Sequence, residues 1–292
     1  MKPNCCDIFI PACQRDAEQL GFLATSLASK ADPDSIHRLI ICQVSEALET
    51  SARKAVLVSL GPLAQKTEFI RESDLGLKPI QNGWLNQQAA KLAFSSQAQT
   101  RYYLVLDAKN ILLQAIDLCS LIVDNKAPIK TSSLAAHPKW WRGSAWALGC
   151  NDLIHPSCAD QGVLSSVPPV FIHAKSCYGL ISYIKGKFRQ DIGRFMAQKR
   201  PIRHRLMRPS EFTLYYTWLH KEDLLVRMHY LMDSLQCNNL IWGRHSQFEL
   251  EERLSQILAP SQQCLFSGIH WRAWNRLSNS QKKSLYQVLS TS

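Results

Sequence analysis

The feature that most restricts the fold is an alternation of short apolar segments with stretches of helical periodicity in the first half of the chain. The segment CDIFIPA predicts a strand that ends at Pro11, and residues 16–28 then place leucines and an alanine at helical spacing. HRLIICQVS predicts a second strand, and TEFIRESDL predicts another short one. This alternation is typical of an α/β fold with a mainly parallel sheet flanked by helices.

The strand YYLVL continues this pattern and follows a predicted helix, WLNQQAAKLAF. The second half is more helical, with helices predicted over residues 178–187, 211–220, 224–234 and 249–258, and a last helix near Ser280. A chain of 292 residues, 46% hydrophobic and 20% charged, can bury one large core. We therefore expect one large domain with a more helical C-terminal part.

The cysteines and the apolar segments bear on the compartment. The ten cysteines are scattered without a CxxC pair, which favours reduced, mostly buried thiols over disulfides or a zinc site. The apolar run near the N-terminus is too short for a signal sequence, and no segment reaches the roughly 18 apolar residues of a spanning helix. These patterns predict a cytoplasmic protein.

The stretch YYLVLDAKN places a carboxylate directly after a predicted buried strand. In doubly wound sheets, ligands bind beyond the carboxyl ends of the strands, so Asp107 and the loop after Pro11 lie where a nucleotide would bind. Neither GxGxxG nor GxxxxGK[ST] occurs, which excludes the usual dinucleotide fingerprint and the P-loop. The structural alternative for Asp107 is a turn-capping role.

The net charge of +11 favours anionic partners: nucleotides, phospholipid head groups or nucleic acid. Much of it lies in the basic segment KGKFRQDIGRFMAQKRPIRHRLMR, which begins at Lys185 and ends at Arg208. This segment predicts either a solvated helix and loop or a surface for an anionic membrane or a polyprenyl diphosphate acceptor. No nucleic-acid-binding motif accompanies it, so nucleic acid is the weaker hypothesis.

Five stretches resemble, in their order, a bacterial family of glycosyltransferases with a GT-A-type nucleotide-diphospho-sugar transferase domain. They are DIFIPACQRD, GWLNQQAAKL, YYLVLDAKN, PSEFTLYYTWL and FSGIHWR. The resemblance implies a Rossmann-like GT-A domain over residues 1–292, with a nucleotide-binding half (1–125) and an acceptor-binding half with C-terminal helices (126–292). It also implies sugar transfer from a nucleotide sugar, with a UDP-sugar favoured, to a glycan or lipid-linked acceptor in cell-surface polysaccharide or glycolipid synthesis.

The resemblance assigns donor contacts at two places. The loop after the first strand would hold the base and ribose through Pro11, Arg15 and Asp16. The family's aspartate-rich motif holds a divalent ion on the donor diphosphate, and its position here is Asp107 to Lys109, which keeps the first carboxylate and loses the second. The structural alternative for Arg15 and Asp16 is a solvated helix start.

The missing carboxylate leaves a role for manganese or magnesium open. Asp107 is the predicted metal ligand, with His270 a second candidate that contacts either the diphosphate or an ion. An ammonium group can neutralise a diphosphate as a point cation, and Lys109 lies on the same side as Asp107 if the chain stays extended. We therefore expect activity that is metal-independent or only mildly stimulated by metal.

Three helical residues complete the predicted site. Gln87 and Gln88 are candidates for binding sugar hydroxyls. Glu211 opens a helix after Ser210, a predicted N-cap, and the hypothesis is that its carboxylate acts as the general base toward an acceptor hydroxyl, with inversion at the anomeric carbon. The structural alternative is that Glu211 simply suits the positive end of the helix dipole.

Aromatic residues near these motifs predict mostly core packing. Trp84 is expected to anchor the core, as is KWWRGSAW, within which Trp141, Arg142 and Gly143 are candidates to line an acceptor site. Two other function classes stay open: a non-catalytic protein with this fold that binds nucleotide sugars or glycans, and a basic nucleic-acid-binding protein.

Overall fold

Eleven strands and eleven α-helices make up the fold in the computed structural model, which describes residues 5–78, 80, 82–132, 137–150, 163–198, 208–236, 240–259 and 264–291. In those residues the strands are β1 (Cys6–Ala12), β2 (Ile36–Gln43), β3 (Thr67–Arg71), β4 (Tyr102–Val105), β5 (Asn110–Leu112), β6 (Ala127–Ile129), β7 (Thr131–Ser132), β8 (Val163–Leu164), β9 (Val170–His173), β10 (His229–Leu231) and β11 (Phe266–Gly268). The helices there are Ala17–Lys30, Thr50–Leu60, Gly83–Ala93, Pro138–Leu148, Ala174–Phe188, Ile192–Ala197, Glu211–Lys221, Leu225–Met228, Gln247–Leu258, Trp271–Trp274 and Asn279–Ser290.

The central sheet has the strand order β3-β2-β1-β4-β9. Its first four strands are parallel, and β9 runs antiparallel to β4. The chain builds β1, β2 and β3 toward one edge and then crosses to place β4 on the other side of β1. This change of direction opens a crevice beyond the carboxyl ends of β1 and β4, the place where such sheets bind ligands.

Helices cover both faces of this sheet. All seven residues of β1 are buried, as expected for a parallel strand between two helical layers. Its side chains alternate: Phe9 packs in one hydrophobic cluster, and Ile8 and Ile10 pack in the cluster on the opposite face. The predicted α/β class, with a mainly parallel sheet flanked by helices and a more helical C-terminal part, is confirmed.

The C-terminal helices form a third cluster. Leu254, Leu285 and Trp274 belong to it, and Phe22 from the first helix packs against it. Phe22 meets Trp274 edge to face, with ring centroids 4.6 Å apart. The end of the chain therefore packs against the first helix, which follows the β1 loop.

Within the described ranges, no helix has both the length and the apolar character needed to cross a bilayer.

The helix predicted over residues 224–234 is wrong. A short helix, Leu225–Met228, gives way to β10, which pairs in parallel with β6. His229 is drawn into the core there: its Nε2 lies 2.8 Å from the Tyr215 hydroxyl, and its Nδ1 lies 3.1 Å from the carbonyl oxygen of Ala127. Strand pairing and this buried contact override the helical periodicity of the segment.

The expectation of reduced thiols is also wrong for one pair. Cys5 and Cys119, 114 residues apart in sequence, form a disulfide with a Cα separation of 5.5 Å. Cys6, Cys42 and Cys177 are buried thiols, as expected. Scattered spacing in the sequence did not reveal that the residue before β1 and the 3-10 helix containing Cys119 meet in space.

Two buried histidines make the fold sensitive to acid. Burial lowers the pKa of His229 from the ordinary value of 6.5 to about 3, and burial together with Arg101 and Lys175 lowers the pKa of His173 to about 4. Below pH 6.5 these two histidines bind protons in the unfolded chain but stay neutral in the native state. Their contribution to the free energy of unfolding is therefore complete above pH 6.5 and is lost as the pH falls toward their folded-state pKa values.

We expect the free energy of unfolding to fall between pH 6.5 and pH 4, and His229→Gln to make that fall shallower by up to about 1.4 kcal/mol per pH unit. Urea unfolding followed by tryptophan fluorescence across this range measures the effect. His220→Gln, at an exposed histidine, is the control that keeps the wild-type slope. A wild-type slope in His229→Gln would contradict the prediction.

Candidate functional site

A cavity of about 510 Å³ lies at the carboxyl ends of β1 and β4. Its volume is typical of a small-molecule site. The nine residues predicted as base, donor contacts or metal ligands line it, although they come from five separate parts of the sequence: Pro11, Arg15, Asp16, Gln87, Gln88, Asp107, Lys109, Glu211 and His270. Their roles stay predictions, but the structure brings them to one place. The acceptor-site candidates Trp141, Arg142 and Gly143 do not line the cavity.

The loop after β1 forms one wall and is held by Asp16. One Asp16 carboxylate oxygen accepts from the backbone N–H of Cys13 at 3.1 Å and from its thiol at 3.2 Å. Arg15 extends over the indole ring of Trp271, 5.0 Å from the ring centroid. Asp16 therefore shapes the loop, and Arg15 places a cation at the wall of the cavity.

Asp107 follows β4 and contacts two lysines. Lys91 Nζ lies 2.7 Å from its Oδ1, and Lys109 Nζ lies 2.7 Å from its Oδ2. Burial would raise the pKa of the Asp107 carboxyl, but Lys109 and Lys91 outweigh it and hold the pKa well below its usual range. Asp107 is therefore an ionised carboxylate with an ammonium group at each oxygen.

Lys91, a residue that the sequence did not single out, links Asp107 to Glu211. Its Nζ lies 2.9 Å from Glu211 Oε1 and 5.2 Å from the ring centroid of Phe212, and the residue is 4% exposed. Burial would lower the pKa of Lys91, but the attraction of Asp107 and Glu211 raises it above its ordinary value. A lysine within the apolar stretch AAKLA, three residues after Gln88, was the signal available.

Glu211 reaches the cavity from the first position of its helix. Ser210 caps that helix by accepting from the N–H of Thr213, as predicted. Glu211 is 5% exposed and lines the cavity beside Lys91. Its carboxylate is therefore both a buried ion-pair partner and a wall of the site.

His270 lines the cavity from the C-terminal part of the sequence. Strand β11 pairs antiparallel with β5, and the N–H of Ile269 donates to the carbonyl of Lys109 at 3.0 Å. His270 Nδ1 accepts from the N–H of Arg272 at 3.2 Å. Burial, with Lys109, Arg272 and Arg15 nearby, lowers the pKa of His270, so a neutral ring faces an electropositive region.

The residues of this site do not fit a divalent cation. Such an ion prefers several oxygen ligands, but both oxygens of Asp107 contact ammonium groups, and the Asn110 side-chain oxygen accepts from the Asp107 N–H at 2.7 Å. Across the described ranges no group of three His, Cys, Asp or Glu side chains is arranged to hold a metal. The predicted ligands Asp107 and His270 share the cavity in surroundings that favour an anion.

Aromatic rings line two further parts of the cavity. Trp84 and Trp140 have ring centroids 6.0 Å apart, and His137 stacks on Trp140 at 3.9 Å. Trp242 and Trp271 line it near His270.

The core placement expected for Trp84 is wrong, because this side chain is 44% exposed and lines the cavity. Trp141 is buried and stacks on Tyr216, as core packing predicted. Its neighbour Trp140 reaches the cavity instead, because successive helical residues point about 100° apart.

The basic segment is described only in part. Lys185 and Lys187 lie at the end of the helix Ala174–Phe188, and residues 192–197 form the next helix. Residues 199–207, which carry four of its basic side chains, lie outside the described residues. A membrane-binding role for the segment stays a prediction.

Comparison with known proteins supports the fold. A family model described as a family of unknown function, DUF6492, matches residues 4–256. No curated protein matches the sequence. Among solved structures, the galactosyltransferase LgtC, in complex with donor and acceptor sugar analogs, is 15% identical over 98% of this chain and 97% of its own, with a TM-score of 0.51.

Two other solved structures align less well. An active-site mutant of LgtC is 15% identical over 97% of this chain and 95% of its own, with a TM-score of 0.45. S. aureus TarS is 11% identical over 44% of this chain and 21% of its own, with a TM-score of 0.32. The match to LgtC shows a shared GT-A-like fold, and at this identity it shows the fold alone.

Proposed function

The chain belongs to DUF6492, a family of unknown function, and from that premise we propose that it is a glycosyltransferase acting on a nucleotide-sugar donor. One observation carries the proposal: a single cavity at the switch point of the sheet combines a cationic wall with a buried carboxylate. Lys109 and Arg15 supply the positive charge of the wall, His270 lies beside them, and Glu211 supplies the carboxylate. A donor diphosphate needs the first feature, and an acceptor hydroxyl needs the second.

In the proposed reaction, the acceptor oxygen bonds to the anomeric carbon of the donor sugar as the bond from that carbon to the diphosphate oxygen breaks. The hydroxyl proton passes to Glu211, and the nucleoside diphosphate leaves with the bonding electrons. Direct displacement of this kind inverts the anomeric configuration. The loop with Pro11, Arg15 and Asp16 holds the nucleoside, and a UDP-sugar is the favoured donor.

Lys109 supplies the positive charge at the leaving diphosphate. Its ammonium group is held 2.7 Å from Asp107, and its side chain is 25% exposed, so it remains accessible to a ligand. Asp107 thus positions a cation that belongs to the protein itself. We propose on this basis that donor binding does not depend on manganese or magnesium.

The test is titration with UDP in EDTA and in manganese. We expect wild-type affinity to be nearly the same in both, and Lys109→Ala to weaken UDP binding about tenfold to hundredfold because a charge-assisted hydrogen bond is lost. Lys109→Asp, which puts a carboxylate in place of the cation, should bind still more weakly in EDTA. Lys283→Ala, at an exposed lysine of the last helix, is the matched control.

Wild-type binding that disappears in EDTA and returns with manganese or magnesium would contradict this assignment. It would mean that the protein assembles a metal site around Asp107, with His270 the first ligand to examine. Wild-type UDP affinity in Lys283→Ala would show that the effect of Lys109→Ala does not come from removing any one positive charge.

A second candidate is a non-catalytic protein that binds nucleotide sugars or glycans. The observation in its favour is that both oxygens of Asp107 are engaged by lysines. A panel of UDP-sugars and other nucleotide sugars, followed by measurement of donor hydrolysis, separates the two. Binding without turnover of any donor favours this candidate. If no nucleotide or nucleotide sugar binds, the result favours the third hypothesis, a nucleic-acid-binding protein.

The setting we propose is cell-surface polysaccharide or glycolipid synthesis at the cytoplasmic side of a membrane. The support is the basic segment, in which Lys185 and Lys187 are followed by seven further Lys or Arg residues up to Arg208. Basic side chains near an anionic surface each contribute about 1 kcal/mol of binding. The acceptor in this setting is a glycan or a lipid-linked sugar.

A further inference from the structure

One face of the helix Gly83–Ala93 carries a stripe into the cavity. Trp84, Gln88 and Lys91 are spaced by four and three residues, so they lie above one another on the same side of the helix. Trp84 is 44% exposed, whereas Gln88 and Lys91 are buried, at 2% and 4% exposed. The stripe therefore begins at the exposed indole of Trp84 and ends at the buried ammonium of Lys91, which contacts Glu211. The two ends are about 10 Å apart along the helix.

Gln88 in the middle of the stripe carries an unused acceptor. Its Oε1 is buried and has no hydrogen-bond partner among the residues that the structure describes. A buried amide oxygen without a partner is unfavourable, and native proteins keep few such atoms. Because Gln88 lines the cavity, a hydroxyl donor on a bound ligand would satisfy it.

The exposed end of the stripe is aromatic. Trp84 and Trp140, with ring centroids 6.0 Å apart and planes inclined by 37°, form a platform beside Gln88, and His137 supports Trp140 from a stacked position. A sugar ring has an apolar C–H face that packs on an indole and hydroxyl groups at its rim. An alkyl chain would use the rings but leave Gln88 unsatisfied.

We propose that Trp84, Trp140 and Gln88 form the acceptor subsite and that the acceptor end recognised there is a saccharide. The proposal rests on the proposed function. The sugar packs on the indoles, donates a hydroxyl to Gln88, and presents its next hydroxyl toward Glu211 at the buried end of the stripe. The donor diphosphate is assigned to Arg15, Lys109 and His270, which line the same cavity but lie outside this helix.

The experiment measures saccharide binding without any donor. An array of immobilised mono- and oligosaccharides identifies a sugar that the wild-type protein binds, and calorimetry with that sugar compares the variants. We expect Trp84→Ala to weaken binding about tenfold, through lost stacking and buried area. Trp146→Ala is the matched control, because Trp146 is 40% exposed and is not part of the cavity wall.

Gln88→Leu separates a ligand contact from a structural role. Leucine removes the unpaired oxygen and keeps the side chain apolar and similar in size, so we expect the urea midpoint to stay or rise while saccharide affinity falls about fivefold. A structural glutamine would show the reverse, with stability lost and affinity retained.

The results separate this subsite from the proposed function. The subsite is overturned if the wild-type protein binds no saccharide, or if Trp84→Ala and Gln88→Leu both bind it with wild-type affinity. Either result overturns the subsite even if UDP binds and donor is hydrolysed. Saccharide binding that depends on Trp84 and Gln88 supports the subsite. If no nucleotide binds in that case, the glycosyltransferase assignment fails and a saccharide-binding protein remains.

Discussion

Glu211→Gln lowers the rate of sugar transfer about 10²- to 10⁴-fold, the contribution of a general base. The amide oxygen of glutamine can still accept from Lys91, now 2.9 Å from Glu211 Oε1, so the fold and the donor wall are kept. What is lost is a carboxylate able to take the proton of the acceptor hydroxyl. We therefore expect kcat to fall while UDP affinity stays at the wild-type value.

Transfer is measured with the nucleotide sugar that binds best and the saccharide selected on the array. Glu222→Gln, an exposed carboxylate at the opposite end of the same helix, is the control and should retain full activity. Near-normal transfer in Glu211→Gln rejects the base assignment. The anomeric configuration of the product, read by NMR, gives an independent check, because a base-assisted direct displacement yields inversion.

Lys91→Met destabilises the protein by about 3–5 kcal/mol, the cost of leaving buried charge without its partner. Lys91 is the ammonium shared by Asp107 and Glu211, and both carboxylates are largely buried. Removing it leaves the Glu211 carboxylate without that partner. The Asp107 and Glu211 carboxylates then repel each other with no ammonium group between them. Methionine matches the length of the lysine stem, so lost packing contributes little.

Urea unfolding at pH 7 measures this change. Arg227→Met is the control, because its ion pair with Asp223 is exposed on both sides, at 66% and 89%, and such pairs contribute about 1 kcal/mol or less. Adding Glu211→Gln to Lys91→Met should recover part of the lost stability, since one unpaired charge is then neutral. A loss in Lys91→Met no larger than that of Arg227→Met would show that Lys91 does not hold the two carboxylates.

The sequence was sufficient for features that depend on neighbouring residues. The alternation of strands and helices placed Asp107 after β4 and Pro11 in β1, and the carboxyl ends of parallel strands necessarily meet at one edge of a sheet. The N-cap at Ser210 was readable because capping needs only a side chain and the N–H groups of the next turn. These local rules, with the resemblance, were enough to name residues that share a cavity.

Other features could not be read from the chain because they depend on partners far away in sequence. Strand β10 forms where the chain meets β6, about a hundred residues earlier, and the disulfide joins Cys5 to Cys119. Trp84 and Trp141 both lie in the first turns of a helix, yet one is 44% exposed and the other 7%. Burial is set by what packs against a helix, and periodicity alone does not identify that neighbour.

The sequence by itself determined an α/β chain with a carboxylate, a lysine and a histidine near the ends of its strands, because strand and helix patterns are local. Only the tertiary structure decided what that carboxylate does. Lys91 lies 16 residues before Asp107 and 120 before Glu211, and folding places its ammonium within 3 Å of both. Coulomb attraction depends on distance in space and on burial, so the charge balance of this site exists only in the folded protein.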